Sequence, residues 1–217
     1  MMLISISTGL GLQKTIQNKV SSFFGHITIS NFQNNSSQLS RNPVSIEQDF
    51  YLNNNINDIN HIQSVAYKSG VILKDTNFEG IVFKGINDDF NFKIFSQHMV
   101  EGKIPNINNS VTREVIISKY LSERLKLKLN QKLKVSFLNT NSSIPSERNF
   151  KISGIYDTGL NEFDEIYILG DIKHIQLINN WETNQIGSFE IFINDFDKMK
   201  QVSSELYEIS SSNLDVV

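Results

Sequence analysis

Residues 1–31, MMLISISTGLGLQKTIQNKVSSFFGHITISN, constrain the fold more than any other stretch. Apolar residues fall at Leu3, Ile6, Leu10, Ile16, Val20, Phe23 and Phe24, mostly three or four apart, which is helical spacing. Residues 1–12 are only apolar, Gly, Ser or Thr, whereas Gln, Lys and Asn dominate from Gln13 to Lys19. Past Phe24 the period shortens at Gly25, and His26 to Ser30 alternates as a strand does. An uncharged helix that turns polar and runs into a strand fits the outer end of a membrane helix entering a water-soluble domain. It fits equally an amphipathic helix opening a soluble protein, because spanning a bilayer takes ~20 apolar residues and this run has fewer.

The rest of the chain narrows the choice of class. Its 217 residues make one large domain or two small lobes, either able to bury a core. With 39% hydrophobic and 20% charged residues it is ordinary for a globular chain and too polar for an integral membrane protein. A net charge of −3 gives no electrostatic case for nucleic acid. Lys126, Lys128, Lys132 and Lys134 alternate with Leu and Val and read as the solvent face of a helix end and a strand. The absence of cysteine excludes disulfides, thiolate metal sites and thiol catalysis. No Lys or Arg precedes the N-terminal apolar run, so a secretory signal is not expected there.

In chain order, the first strand is followed by a polar loop to Pro43 and a weak helix over Gln48–Ile59. Strands follow over Gln63–Lys74, with a bulge expected at Gly70, and over Phe78–Ile86. Glu114–Ile117 reads as a short buried strand, and Ser118 as the cap of a helix over Lys119–Leu127. Lys132–Leu138 and Asn149–Tyr156 make a hairpin around the loop Asn139–Ser146. The last third reads as a strand at Glu165–Leu169, a helix capped by Asp171, a strand at Phe189–Ile193 and a helix from Asp195. Leu214–Val217 would open one more element, which suggests a segment of a longer polypeptide.

The search for chemistry yields little. His26, His61, His98 and His174 are not spaced to put two ligands on one helix face, and no metal site is expected. Gly9 and Gly11 lack a third glycine and a preceding strand, so they suit close helix packing better than a dinucleotide. The acids Asp157, Glu162, Asp164 and Glu165 form no calcium loop and read as a solvated connection. No catalytic or cofactor-binding residues are assigned.

Four segments point somewhere together: ISISTGLGLQKTIQNKVSSFFGHITIS at 4–30, VFKGIN at 82–87, VEGKIP at 100–105 and IPSERNFKISGIYDTGLNEFDEIYIL at 144–169. In this order the chain resembles the extracytoplasmic (periplasmic) domain of FtsX-like, MacB-type ABC-transporter permeases, with the fourth segment most similar to the LolC/LolE lipoprotein-releasing members. The resemblance implies an α+β, two-lobed MacB-like periplasmic core. Residues 1–24 would be the outer end of a transmembrane helix or stalk. A Porter-like lobe would form from 25–88 and 166–217, with a Sabre-like lobe, 89–165, inserted between. It also implies an inner-membrane protein whose domain faces the periplasm, and a cytoplasmic ATPase subunit that hydrolyses ATP on another chain or domain. A second permease copy or paralogue, and a periplasmic carrier or outer-membrane partner, complete the implied assembly.

In LolC-like members the hairpin before Pro-Ser-x-Arg captures a lipoprotein carrier. Here that loop is short and polar, leaving Ile144, Pro145 and Arg148 as candidate partner contacts against the plainer reading of a hairpin turn. Lys19 and Gly25 are the candidate coupling hinge between the helix and the first strand. Three functions stay open: lipoprotein release, MacB-like efflux of a drug, peptide or toxin, and a free-standing binding module. A hydrolase using the 157–165 acids has no supporting pattern.

Overall fold

A computed structural model of the chain describes residues 2–34, 39–53, 56–74, 77–108, 110–138 and 144–217. The chain opens with helix α1 (Met2–Phe24) and strand β1 (Ile27–Asn31), then β2 (Val44–Ser45), α2 (Asp49–Asn53), β3 (Ile59–Lys74) and β4 (Asn77–Ile86). Next come α3 (Phe92–Phe95), β5 (Met99–Gly102), β6 (Glu114–Ser118), α4 (Lys119–Arg124), β7 (Lys132–Phe137) and β8 (Ser146–Tyr156). The last part holds α5 (Asn161–Asp164), β9 (Tyr167–Asp171), α6 (Lys173–Asn179), β10 (Gln185–Ile186), β11 (Ser188–Ile193), α7 (Met199–Ile209) and β12 (Leu214–Val216).

Hydrogen bonding joins ten strands in the order β12-β1-β11-β3-β4-β9-β6-β8-β5, with β7 bridging β3 and β8. That bridge closes a circuit: β3, β4, β9, β6, β8 and β7 each pair with the next, and β7 returns to β3. Closure removes free edges from these strands. The period-two alternation of strands then decides which residues face which way. Ile81, Phe83, Val115, Ile117, Val135, Phe137, Phe150, Ile152 and Ile168 share one buried cluster. Their immediate neighbours Ile116, Tyr167 and Leu169 belong to a second cluster on the other face, with Tyr67, Tyr156, Phe90, Phe95 and Phe23. The last turn of helix α1 lies against that second face through Phe23 and Phe24.

Several local readings stand and others are corrected. Ser118 caps α4 as expected, its side chain accepting from the Leu121 amide at 3.0 Å. Asp171, expected to cap α6, is instead the last residue of β9, and Ile172 holds the N-cap position; the Asp171 carboxylate still accepts from the Lys173 amide at 3.0 Å. The helix expected over Gln48–Ile59 is only Asp49–Asn53, and β3 starts at Ile59. Asparagine-rich sequence gives up helix readily when a neighbouring strand can take the residues. Helix α4 likewise stops at Arg124, and Lys126 turns at φ +49°. Gly70 is no bulge: β3 keeps register through it, opposite Ile81 and Phe137. A Cβ there would come within 3.0 Å of Val135 and 3.1 Å of Phe137, so glycine allows β7 to lie close. The loop Asn139–Ser146 lies outside the described residues over 139–143, as does the turn at 75–76.

The interior of the circuit is aromatic. Phe83 stacks on Phe150 at 5.3 Å between ring centroids and meets Phe137 edge-on at 5.5 Å. Replacing Phe83 with Ala, at a site fully buried on both sides, should cost about 3–5 kcal/mol, read as a shift of the urea midpoint. A loss below about 1 kcal/mol would mean that the interior is not packed as described.

Candidate functional site: the anchored base of the N-terminal helix

Helix α1 leaves four carbonyls without helical partners at its C-terminus, and it carries no basic residue in its last turn. Two devices from elsewhere in the chain meet that need. Gly25 adopts φ +76° and donates its amide to the Ser21 carbonyl at 2.8 Å, an αL cap. The Phe23 carbonyl accepts from the ammonium of Lys84, which arrives from β4. A cation at a helix C-terminus also complements the helix dipole.

Lys84 is fully buried, and Glu190 on β11 is 1% exposed. Their ion pair is two-pronged, with Nζ at 2.8 and 2.9 Å from the two carboxylate oxygens. Gln63 on β3 donates to Glu190 Oε2 at 2.7 Å, and the Tyr67 hydroxyl donates to Oε1. The other end of the Gln63 amide accepts from the Asn91 backbone at 2.9 Å. Four rings surround the ammonium: Phe23 at 4.8 Å, Phe24 at 5.2 Å, Tyr67 at 5.6 Å and Phe90 at 5.8 Å from their centroids. Burial pushes the Lys84 ammonium below its ordinary pKa, opposed by Glu190. Burial raises the Tyr67 phenol well above its ordinary value, reinforced by the Glu190 charge. Tyr167 is pushed up to about 12 for the same two reasons. Sealed from solvent, the pair meets no substrate. It joins α1, β3, β4 and β11 at one point.

Aromatic packing widens the attachment. Phe23 stacks on Phe163 at 5.1 Å, meets Tyr167 edge-on at 5.3 Å, and lies 6.2 and 6.3 Å from Tyr156 and Phe95. Ser22 Oγ and His98 Nε2 are 3.1 Å apart. Burial lowers the His98 pKa, with the Lys19 charge adding to it and Asp164 and Asp157 opposing. Immediately after the helix, the His26 amide donates to the Ile191 carbonyl at 2.7 Å, which fixes the start of β1 on β11.

The two candidate hinge residues lie against different parts of the body. Gly25 has no room for a side chain: a Cβ would come within 3.0 Å of the Ile191 backbone and 3.2 Å of Glu190. Lys19 reaches the 157–164 loop, its Nζ 2.9 Å from where a Cβ on Gly159 would stand. That loop is not a solvated connection throughout. Asp164 is buried and accepts from the Thr158 amide, the Thr158 hydroxyl and the Gly159 amide at 2.9–3.1 Å. The candidate partner contacts lie elsewhere. Arg148 stands about 26 Å of strand away from Tyr156 along β8, hydrogen-bonded to Ser146 Oγ and the Glu147 carbonyl at 3.0 Å. Ile144, 78% exposed, and Pro145, also exposed, precede that strand.

Gly9 and Gly11 have open space where side chains would be, so among the described residues they pack against no other helix. Among the described residues, no helix is long and apolar enough to cross a membrane, and no three His, Asp or Glu side chains gather as metal ligands. His174 is a core residue: its ring meets Phe150 at 4.8 Å and its Nε2 lies 2.8 Å from the Thr112 carbonyl.

Sequence reasoning passed over Lys84, Glu190, Gln63 and Tyr67. The signal was present in VFKGIN and FEIFI, each a short apolar strand interrupted by one charge of opposite sign.

The fold has known counterparts. The extracellular domain of the noncanonic ABC-type transporter YknZ from Gram-positive bacteria aligns with a TM-score of 0.57 at 15% identity, over 88% of this chain and 98% of that one. The periplasmic region of MacB from Actinobacillus actinomycetemcomitans aligns with a TM-score of 0.58 at 14% identity, over 88% of this chain and 87% of that one. The chain thus has the mixed α/β fold of MacB-like periplasmic regions. No family model matches the sequence, and no curated protein matches it.

Two outcomes test the anchor. Lys84→Met leaves Glu190 charged and unpaired in the core and should cost about 3–5 kcal/mol in urea unfolding. Adding Glu190→Gln should restore most of that loss, because a neutral pair needs no compensation. Additive losses would mean that the two groups are not coupled. Acid should also loosen the base. His98 titrates below its ordinary 6.5, so the unfolded chain takes up the proton first. Stability is complete above about 6.5 and falls as pH drops, with His26 and His174 acting in the same direction. His98→Gln should flatten the stability curve between about pH 6.5 and 5, and an unchanged slope would remove His98 from the account.

Proposed function

We propose that this chain is the extracytoplasmic domain of an ABC-transporter permease in the inner membrane, facing the periplasm, and that it transmits ATP-driven motion without performing chemistry itself. ATP is hydrolysed by a cytoplasmic ATPase subunit, reached through the rest of a permease that works with a second copy or a paralogue. The single observation that carries this reading is the rigid base of α1. Its last turn is tied to three strands, β3, β4 and β11, through Lys84, Glu190, Gln63 and Tyr67, and to α3 and the 157–164 loop through Phe23, His98 and Lys19. Over residues 11–16 the helix stands clear of the body, with Leu12 62% and Ile16 44% exposed. A rod held firmly at one end and free along the rest is suited to work as a lever. The strands fit the same use, since Val217 exchanges backbone hydrogen bonds with Thr28, placing the last strand's end beside the foot of α1.

Lipoprotein release is the transport reaction we favour, on the likeness of residues 144–169 to the LolC/LolE permeases. Ile144, Pro145 and Arg148 are then the contacts for a periplasmic carrier or an outer-membrane partner. MacB-like efflux is the second reading, and the fold likeness to the periplasmic region of MacB favours it.

The lever is tested in the full-length permease with its ATPase. A four-residue Gly-Ser insertion after Ile16, where the helix has left the body, keeps the base intact but makes the rod flexible. A second insertion after Gly25 breaks the base itself. Both should leave ATP hydrolysis in proteoliposomes within about twofold and reduce substrate release about tenfold or more, as expected for a coupling element. Unchanged release with the first insertion overturns the lever. Ile144→Asp with Arg148→Glu should lower lipoprotein release at unchanged ATP hydrolysis, and no change would remove those residues as partner contacts.

A further inference from the structure

At the end of β3 and β4 away from α1, the closed strand circuit exposes apolar side chains on its outer surface. Leu73 and Phe78 are cross-strand partners there, 46% and 74% exposed. Next to Leu73 on β7, by the register that sets Ile72 opposite Val135, stands Lys134. A shallow groove of about 250 Å³ runs between Leu73, Lys74, Leu127, Gln131, Lys132, Leu133 and Lys134. Its wall is fixed, because Lys74 Nζ donates to the Lys126 carbonyl at 2.6 Å where the chain turns out of α4.

Charge makes this groove unusual for a chain of net charge −3. Residues 126–134, KLKLNQKLK, carry four lysines and no acid. Lys132 faces Lys151 directly across the antiparallel β7–β8 ladder. Like charges in directly opposed positions destabilise a sheet, and an exposed ladder would ordinarily set an acid there. Two carboxylates border the group: Glu147, at 2.8 Å from Lys134, and Glu114, which stands opposite Lys151 on β6 and lies 3.6 Å from Lys103. Lys128, Lys132 and Lys151 have no ion-pair partner among the described residues.

We infer that this groove docks an acidic polypeptide segment carrying one or two apolar side chains, with its carboxylates against Lys132, Lys134 and Lys151 and its apolar residues on Leu73 and Phe78. Opposed lysines relieve each other when an anion bridges them, and an apolar row beside them fixes the register of the incoming chain. A concave groove walled by the 126–131 turn suits a narrow segment, whereas a flat lipid surface cannot enter it. The inference stands on this surface alone and is independent of the lever.

The test uses the 217-residue chain and a fluorescein-labelled octapeptide, EEFEELEE, with QQFQQLQQ as its neutral counterpart, read by fluorescence anisotropy. The acidic peptide should bind at least tenfold more tightly than the neutral one and weaken as salt is raised. Lys132→Glu with Lys134→Glu should weaken it at least tenfold, as should Phe78→Ser, while Lys200→Glu on α7 should leave it unchanged. Circular dichroism confirms that each variant, altered only at exposed positions, remains folded. Equal affinity for the two peptides, or indifference to the groove variants, overturns the proposal. So does binding to phosphatidylglycerol vesicles that the same variants abolish when the acidic peptide does not bind, since the surface would then be a lipid contact.

Discussion

A lysine ammonium with no exposure to water needs a reason, because desolvating it costs several kcal/mol before any partner is found. Lys84 finds three kinds of partner: the Glu190 carboxylate, the Phe23 carbonyl and a cage of four rings. Each alone would be a poor exchange for hydration. Together they satisfy the directions in which an ammonium donates, and Gln63 and Tyr67 occupy the remaining acceptor sites of Glu190. An apolar pair of similar volume would fill this space at less cost in desolvation, but it would hold the helix at no particular rotation. The carbonyl of Phe23 accepts from Lys84 in one orientation of α1 only, and Glu190 is held by its pairing with Thr28 on β1 and Gln63 on β3. The pair therefore converts a helix lying on a sheet into a helix keyed to it.

That key sits on a stiff body. The Lys84–Tyr67 pair belongs to the same β3–β4 ladder that ends in Leu73 and Phe78, in unbroken register from Val65 opposite Ile86 to Lys74 opposite Asn77. Closure of the strand circuit through β7 keeps the ladder from twisting independently of β8, β6 and β9. Aromatic contacts of Phe23 with Tyr156 and Phe163 carry the attachment onto the far side of that circuit. Under the proposed lever, a tilt of α1 would pass to the whole circuit as rigid-body displacement, the kind of transition that packed elements support without internal remodelling.

Much of this was legible in sequence, and the losses follow a physical pattern. Strands with clean alternation, such as Lys132–Phe137, appeared where expected because the period reports which face is buried. The cap at Ser118 was legible because a side chain two or three residues from its amide partner is a local matter. Gly25 was legible as the end of α1 for the same reason, but not the close approach of the Ile191 backbone, which leaves no space for a side chain there. Short-range signals cannot show that β11, reached after more than 160 residues, closes on it. The same limit hid the anchor, since Lys84 and Glu190 meet across two strands that are distant in sequence. Asp164 was misjudged as solvated because acids in a loop usually are, whereas here the loop folds its own amides onto the carboxylate.

The foot of α1 and the basic groove lie on the same two strands, and their separation limits what either can do to the other. From Lys84 to Phe78 the chain covers about 20 Å at the rise of a strand. Over that span the β3–β4 ladder offers no bulge and no break in register where motion could be absorbed. A partner held at Leu73 and Phe78 would therefore be moved when α1 moves, by about the arc that a rigid arm of that length sweeps. Coupling of this kind needs no second conformation of the domain, only that the foot of α1 hold under load. The charge buried beneath Phe23 is what makes that foot hold, since sliding the helix past Lys84 would strand an ammonium, a carboxylate and a carbonyl together in the core.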